Sequence, residues 1–207
     1  ISPKGYIDRN YLDYYVFRNN SILKQLFKER WVKTNQLLVA GHSEGSTIAV
    51  KMASINKKIT HLIYSGGNPY GRISTVLEQN RSEENDILIR GEKVIEHWKN
   101  VVENANKIHY DGGDTYKATY SFSLPQRDNL MDLKIPVLVT YGTKDWGVSF
   151  NDLFQIEAIR ERKRNITFKS YIGLEHNYFP KNEKGEIIEE EYNWDKVAKD
   201  WMNWLKQ

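Results

Sequence analysis

The sequence predicts an α/β protein, a mostly parallel sheet flanked by helices and interrupted by a helical insertion. Three observations carry this expectation. Four short apolar runs have the length and composition of strands, amphipathic helical stripes alternate with them, and the long stretch from Asn68 to Asp128 belongs to no sheet unit.

A helix comes first, with Leu12, Tyr15, Val16, Asn19, Ile22, Leu23, Leu26 and Phe27 on one face. The first strand is Gln36 to Ala40 (QLLVA), and a helix with Ile48, Ala49, Met52 and Ile55 on one face follows it. The second strand is His61 to Ser65 (HLIYS). Beyond the insertion come a third strand, Ile135 to Tyr141 (IPVLVTY), a helix striped by Leu153, Ile156 and Ile159, and a fourth strand, Ile166 to Ile172 (ITFKSYI). A last helix carries Trp194, Val197, Ala198, Trp201, Trp204 and Leu205. The first three strands lack polar alternation, as strands covered on both faces do. The order implies right-handed crossovers. The insertion is too long for a crossover loop. It holds a helix-like piece, Ile87 to Val102, with Val94, Ile95, Trp98 and Val102 on one side, and a Gly- and Tyr-rich piece, Tyr110 to Ser123. The expected division is a sheet core of 1–67 and 129–207 with a helical cap at 68–128.

Composition narrows the function classes. The 207 residues suit one domain with room for an insertion, against roughly 150 residues per domain. Thirty Lys and Arg against 27 Asp and Glu leave +3, too small an excess to argue for nucleic acid or an anionic membrane surface. With 40% hydrophobic and 28% charged residues the chain has material for a real core. Cysteine is absent, which removes disulfides, thiolate metal sites and cysteine nucleophiles, and is compatible with a cytoplasmic or an exported protein. No apolar run approaches the ~18 residues of a spanning helix, and no signal-peptide pattern is seen. No histidine pair at ligand spacing, P-loop or dinucleotide-binding glycine pattern occurs, so no metal and no cofactor are expected. The chain opens on Ile1, as expected of a processed product, a trimmed chain or a fragment.

The most informative segment is Gln36 to Val50, QLLVAGHSEGSTIAV, in which a buried strand runs through Gly41-His42-Ser43-Glu44-Gly45 into an amphipathic helix. This is a G-x-S-x-G elbow in its strand–turn–helix context. A serine at the apex of so tight a turn sits in a strained backbone conformation, and side chains two residues to either side are expected to collide with strand and helix, hence Gly41 and Gly45. The turn also sets Ser43 at a helix N-terminus, where N–H groups favour negative charge; the Glu44 N–H is the candidate oxyanion donor.

A serine hydroxyl needs a base. Of the five histidines, His42 adjoins Ser43 with its side chain expected beneath the elbow, His61 opens a strand, and His97 and His109 lie in the insertion. His176, in Gly173-Leu-Glu-His-Asn177, follows the last strand, where the catalytic groups of open α/β sheets gather. Asp145 follows the third strand in Gly142-Thr-Lys-Asp145, whereas the turn after the second strand, Gly66-Gly67-Asn68, offers no carboxylate. Turnover by such a pair is expected to fall near or below pH 6.5 as His176 protonates.

GHSEGS, YGTKDWGV and GLEHNYF, with Ser43, Asp145 and His176 in that chain order, resemble the α/β-hydrolase family, and the resemblance covers nearly the whole chain. It implies a serine hydrolase. Ser43 would attack an acyl carbonyl, His176 would shuttle the proton, and Asp145 would orient the imidazole. It further implies a small-molecule acyl substrate, selected by the cap. An ester is the leading substrate class, with thioester or amide as variants, because no peptide-terminus anchor is recognisable. A serine peptidase of the same fold, or a silent hydrolase-like binding module, is the alternative. The sequence departs from the family pattern in its strand number: the full fold has about eight strands, and four are found. The first strand thereby becomes an apolar sheet edge. A longer parent chain or a second copy is expected to complete the sheet, and the loop that supplies the second oxyanion donor is missing.

Other residues carry competing readings. Trp146, directly after Asp145, either borders the substrate or packs. Tyr116 and Tyr120, at i,i+4 spacing, either line an acyl pocket together with Tyr110, Phe122 and Trp98, or form the cap's own small core. Glu44 reads as a solvent-facing first-turn carboxylate, and the basic run Arg160 to Arg164 as a solvated helix end.

Overall fold

The computed structural model describes residues 3–33, 35–82, 87–108 and 113–207. Within them the chain runs α1 (Pro3–Ile7), α2 (Leu12–Leu26), β1 (Leu38–His42), α3 (Glu44–Ile55), β2 (His61–Ser65), α4 (Arg72–Ser82), α5 (Ile87–Glu103), α6 (Tyr116–Ser123), α7 (Arg127–Asp132), β3 (Val137–Gly142), α8 (Val148–Arg160), β4 (Ile166–Tyr171) and α9 (Trp194–Trp204). The four strands form one parallel sheet in the order β1-β2-β3-β4. The α/β class with a parallel sheet is therefore the architecture observed.

The contacts divide the chain into two compact units, and their boundaries differ from those expected. One comprises 33–69 and 127–207; the other joins 1–32 to 70–126. The first 32 residues thus group with the insertion rather than with the sheet. Side-chain anchoring explains it: Ser121 Oγ accepts from the Leu12 N–H at 3.1 Å, and Asn10 Nδ2 donates to Asp114 at 3.1 Å. Leu12 and Val16 are the buried residues of α2, whereas Ile22, on its expected apolar face, is exposed.

In the sheet unit, β2 and β3 are central and almost wholly buried, which is why their apolar runs show no alternation. Leu62, Ile63, Tyr64, Val137 and Val139 have no exposure. Edge strand β1 is only half-buried, and begins and ends two residues later than the sequence reading placed it. Pairing draws Gly41 and His42 into the ladder, opposite Tyr64 and Ser65.

Helix α8 corrects the sequence reading more sharply. Its buried residues are Asn151, Phe154 and Ala158, while Leu153, Ile156 and Ile159 are exposed. The buried face instead carries Phe154, whose ring lies 5.7 Å from that of Phe168 of β4 between centroids, with Ala158 and with Asn151, which is held by the carbonyls of Gly67 and Gly147. Helix α9 follows expectation more closely: Val197 is buried with Tyr171, Leu174 and Tyr178, and Trp194 and Trp201 pack on that cluster, although Ala198 is exposed.

The second unit packs α4, α5 and α6 together with α2. On α5 Val101 is buried, and Val102, expected on its apolar side, is exposed. Thr115 caps α6 by accepting the Ala118 N–H at 3.1 Å. His109 and Tyr110 lie outside the described residues.

Candidate active site

The site is assembled from the ends of three strands of the sheet unit. At the end of β1, Ser43 has φ 55° and ψ −125°, a left-handed conformation that side chains rarely adopt. It is held there because its N–H continues the ladder to the Ser65 carbonyl at 2.8 Å while Ser46 N–H already donates to its own carbonyl at 3.0 Å. The buried Ser46 hydroxyl donates to the same carbonyl at 2.6 Å. The two glycines of the elbow play unequal parts. A Cβ on Gly41 would lie 2.0 Å from the Gly45 carbonyl oxygen, a backbone clash, whereas a Cβ on Gly45 meets nothing within 4 Å. Gly41 is sterically required and Gly45 is not, which corrects the expectation of collisions on both sides.

Asp145 lies three residues beyond β3 and is 4% exposed. Its Oδ1 accepts the Gly147 N–H at 2.9 Å, and its Oδ2 lies 2.8 Å from His176 Nδ1. The other ring nitrogen of His176, Nε2, lies 2.8 Å from Ser43 Oγ. A ring nitrogen facing a carboxylate carries the proton, so Nε2 presents its lone pair to the serine hydroxyl. The structure thus brings together the three residues singled out in the sequence, across separations of 31 and 133 positions.

The electrostatics follow from this placement. Burial pulls the His176 pKa down, but the hydrogen bond and charge of Asp145, with the charge of Glu175, outweigh it and raise the pKa above its ordinary 6.5. The expected fall in turnover therefore moves to higher pH than the sequence reading placed it. His42 behaves oppositely. Burial, then the neighbouring His176 ring, push it down to about 4. Its Nδ1 lies 3.0 Å from Ser65 Oγ, and its ring is 5.0 Å from that of His176 and edge-on to Trp194 at 4.9 Å. With these contacts and this lowered pKa, His42 is packed and hydrogen-bonded, and it is neutral near pH 7.

The sequence reading missed the residues that hold the histidine loop. Glu175 is 2% exposed, and its Oε1 accepts the N–H groups of Asn177 at 2.7 Å and Phe179 at 3.1 Å. Tyr178, with φ 63° and no exposure, sets its hydroxyl 2.6 Å from Ser65 Oγ and 2.9 Å from Thr140 Oγ1, tying the loop to β2 and β3. Asn151, 1% exposed, donates to the carbonyls of Gly67 at 2.9 Å and Gly147 at 3.0 Å and so fixes the turn beside Asp145. Lys144 N–H donates to the Leu174 carbonyl at 2.9 Å, lacing the acid loop to the histidine loop. That approach is open only because residue 142 is glycine; a Cβ there would lie 2.2 Å from the Leu174 oxygen. The only signal for Glu175 and Tyr178 in the sequence is their adjacency to His176. A buried carboxylate or phenol shows no periodicity.

The remaining candidates sit as follows. Glu44, at the first turn of α3, is half-buried rather than solvent-facing. Trp146 is half-buried, with Lys181 Nζ 5.4 Å from its ring centroid. Tyr116 sets its ring edge-on to His97 at 5.8 Å, and Tyr120 stacks on Trp98 at 6.0 Å, so both rings make contacts within their own unit. His61 pairs with Thr60 Oγ1 at 2.8 Å. Of the basic run, Lys163 donates to the Met131 carbonyl, and Glu161 within it binds Arg127 at 2.7 Å. Among the described residues no cluster of three acidic or histidine side chains could hold a metal ion, and no helix is long and apolar enough to cross a membrane.

A parallel sheet with a strained serine after one strand, an acid after the third and a histidine after the fourth is the α/β-hydrolase fold, and solved structures of that fold match this chain. They include 2,6-dihydroxy-pseudo-oxynicotine hydrolase (TM-score 0.54, 19% identity, covering 83% of this chain and 43% of that one). An esterase of Pyrococcus furiosus matches with TM-score 0.51 and 14% identity over 78% of this chain and 53% of its own. Est1E from Butyrivibrio proteoclasticus matches with TM-score 0.56 and 16% identity over 94% and 71%. The chain thus spans about half the length of the first two. No protein-family model matches the sequence. No curated protein sequence matches it.

Proposed function

We propose that this chain is a serine hydrolase that cleaves carboxylic esters through an acyl-enzyme. The observation that carries the reading is the unbroken hydrogen-bonded row from Ser43 Oγ through His176 to the buried Asp145, each link 2.8 Å. In the first half-reaction Ser43 Oγ bonds to the acyl carbon and its proton passes to His176 Nε2. Collapse of the tetrahedral species breaks the ester C–O bond, and the departing alcohol oxygen takes that proton. In the second half-reaction water attacks the acyl-serine, His176 again receives the proton, and the carboxylic acid leaves as Ser43 recovers it. Asp145 keeps the ring in the required tautomer and stabilises the imidazolium. The Glu44 N–H, at the start of α3, donates to the oxyanion, where the helix dipole adds to its effect. Trp146, beside the acid, borders the substrate.

A fluorophosphonate probe and a series of p-nitrophenyl esters test the reading. The probe is expected to label wild-type protein and to lose that label in Ser43→Ala, with ester turnover lost in parallel. Ester turnover that survives Ser43→Ala would overturn it, and faster cleavage of aminoacyl anilides than of esters would turn it to a peptidase.

A further inference from the structure

Helix α8 turns an apolar ridge outward. Leu153, Ile156 and Ile159, at i,i+3 spacing, are 44%, 61% and 67% exposed, on a helix whose other side buries Phe154 and Ala158. A single aliphatic residue in water is ordinary, but a contiguous exposed ridge is characteristic of an interaction surface.

The residues around this ridge are arranged symmetrically about Ile156. Leu153 lies three positions before it and Ile159 three after. Asp152 lies four before it and Arg160 four after, and both are exposed. When two copies of a helix pack antiparallel about a two-fold axis through one position, residues equally far before and after that position face each other across the pair. Two copies of α8 joined in this way about Ile156 set Ile156 against its own counterpart, Leu153 against the partner's Ile159, and Asp152 against the partner's Arg160. Each apolar residue of the ridge then meets an apolar residue, and each charge meets its opposite. An axis through Leu153 or Ile159 would instead carry the far end of the ridge past the end of the partner's helix.

Both charged residues also have contacts within their own chain. Asp152 Oδ1 accepts the Tyr141 hydroxyl at 2.7 Å, and Arg160 lies 3.8 Å from Glu157, longer than a hydrogen bond. A carboxylate accepts several donors and a guanidinium carries five N–H groups, so each can serve a second partner.

From the ridge and its charge symmetry we infer that α8 is a self-association face, through which two copies of this chain form an isologous dimer. Contact along one helix of 13 residues falls short of the roughly 800 Å² per partner of a standard interface, so the dimer is weak and the monomer dominates at low micromolar concentration. Neither Ser43 nor its partners take part, so the inference goes beyond the hydrolase reading and can fail without it.

Sedimentation equilibrium of the full chain, from low micromolar to submillimolar concentration, is the test. The wild-type mass is expected to rise with concentration from 24.4 kDa toward twice that value. Ile156→Asp, at an exposed position on the axis, sets two carboxylates face to face and is expected to weaken association on the order of tenfold or more. Arg160→Asp and Asp152→Arg each set like charges against one another and are expected to do the same. In the second of these the Tyr141 hydroxyl keeps Gln155 Oε1, at 3.3 Å. An equimolar mixture of the two charge variants pairs opposite charges at both contacts, and is expected to dimerise as the wild type does although neither variant does so alone. A wild-type mass that stays at 24.4 kDa throughout would overturn the inference. So would a dimer left unchanged by Ile156→Asp and Arg160→Asp, which would place association elsewhere, as along the β1 edge. A mixture of the two folded charge variants that remains monomeric would overturn it as well.

Discussion

Two protonation events at neighbouring rings make the site pH-dependent, and their signs differ. His176 must be neutral to accept the Ser43 proton, and its pKa lies above 6.5. The acid limb of kcat/KM for an ester is therefore expected to have its midpoint above pH 6.5. Asp145→Asn removes the partner that raises it, so in that variant the midpoint falls and the rate drops on the order of 10⁴-fold as the required tautomer is lost. A wild-type midpoint below 6 would contradict this placement of the base. At the elbow the glycines separate cleanly. Gly41→Ala drives a Cβ into the Gly45 backbone, and is expected to cost roughly 1–3 kcal/mol in urea unfolding and to remove activity. Gly45→Ala enters open space within α3, and is expected to be neutral or to stabilise by about 0.4–1 kcal/mol. Equal losses from the two would show the steric argument to be wrong.

Elements succeed or fail on which face they bury. In α8 the periodicity of Leu153, Ile156 and Ile159 is real, but it is the exposed face. Phe154→Ala is expected to lower stability by about 3–5 kcal/mol, and Ile156→Ala by less than about 0.5 kcal/mol, measured by chemical denaturation. The reverse order would mean that the sequence-predicted face is the packed one. The strands were more legible. Val137 to Gly142 is buried along its whole length, and a short apolar run without alternation is what a strand covered on both faces requires. The helix was less so, because its buried face is made of Asn151, Phe154 and Ala158, a mixed set that leaves no apolar stripe to read.

For the whole molecule, the two histidines pull stability in opposite directions with pH. His176 has a folded pKa above its unfolded value, so its contribution is fully present below about pH 6.5 and is lost as pH rises through the folded pKa. His42, held down to about 4, gains no proton in the folded state where the unfolded chain gains one; the fold loses stability as pH falls from about 6.5 toward 4, on the order of 3 kcal/mol. His42→Asn is expected to flatten the unfolding free energy over that interval, as read by urea titration at successive pH values. An unchanged slope would rule out His42 as a source of acid instability. The sheet unit and the unit joining 1–32 to 70–126 are the other molecular-scale feature, and the sequence reading placed the first of those segments with the sheet.

The division of labour between sequence and tertiary structure has a physical basis. By itself the sequence determined the class, the strand–turn–helix around Ser43, and the chain order of serine, acid and histidine, because periodicity, glycine spacing and strand-end position are local properties. Tertiary structure decided which face α8 buries, where 1–32 packs, that Gly41 and not Gly45 is sterically fixed, and that Glu175, Tyr178 and Asn151 hold the loops. Each of these depends on atoms distant along the chain meeting in space, and no local pattern of residues records which groups will meet.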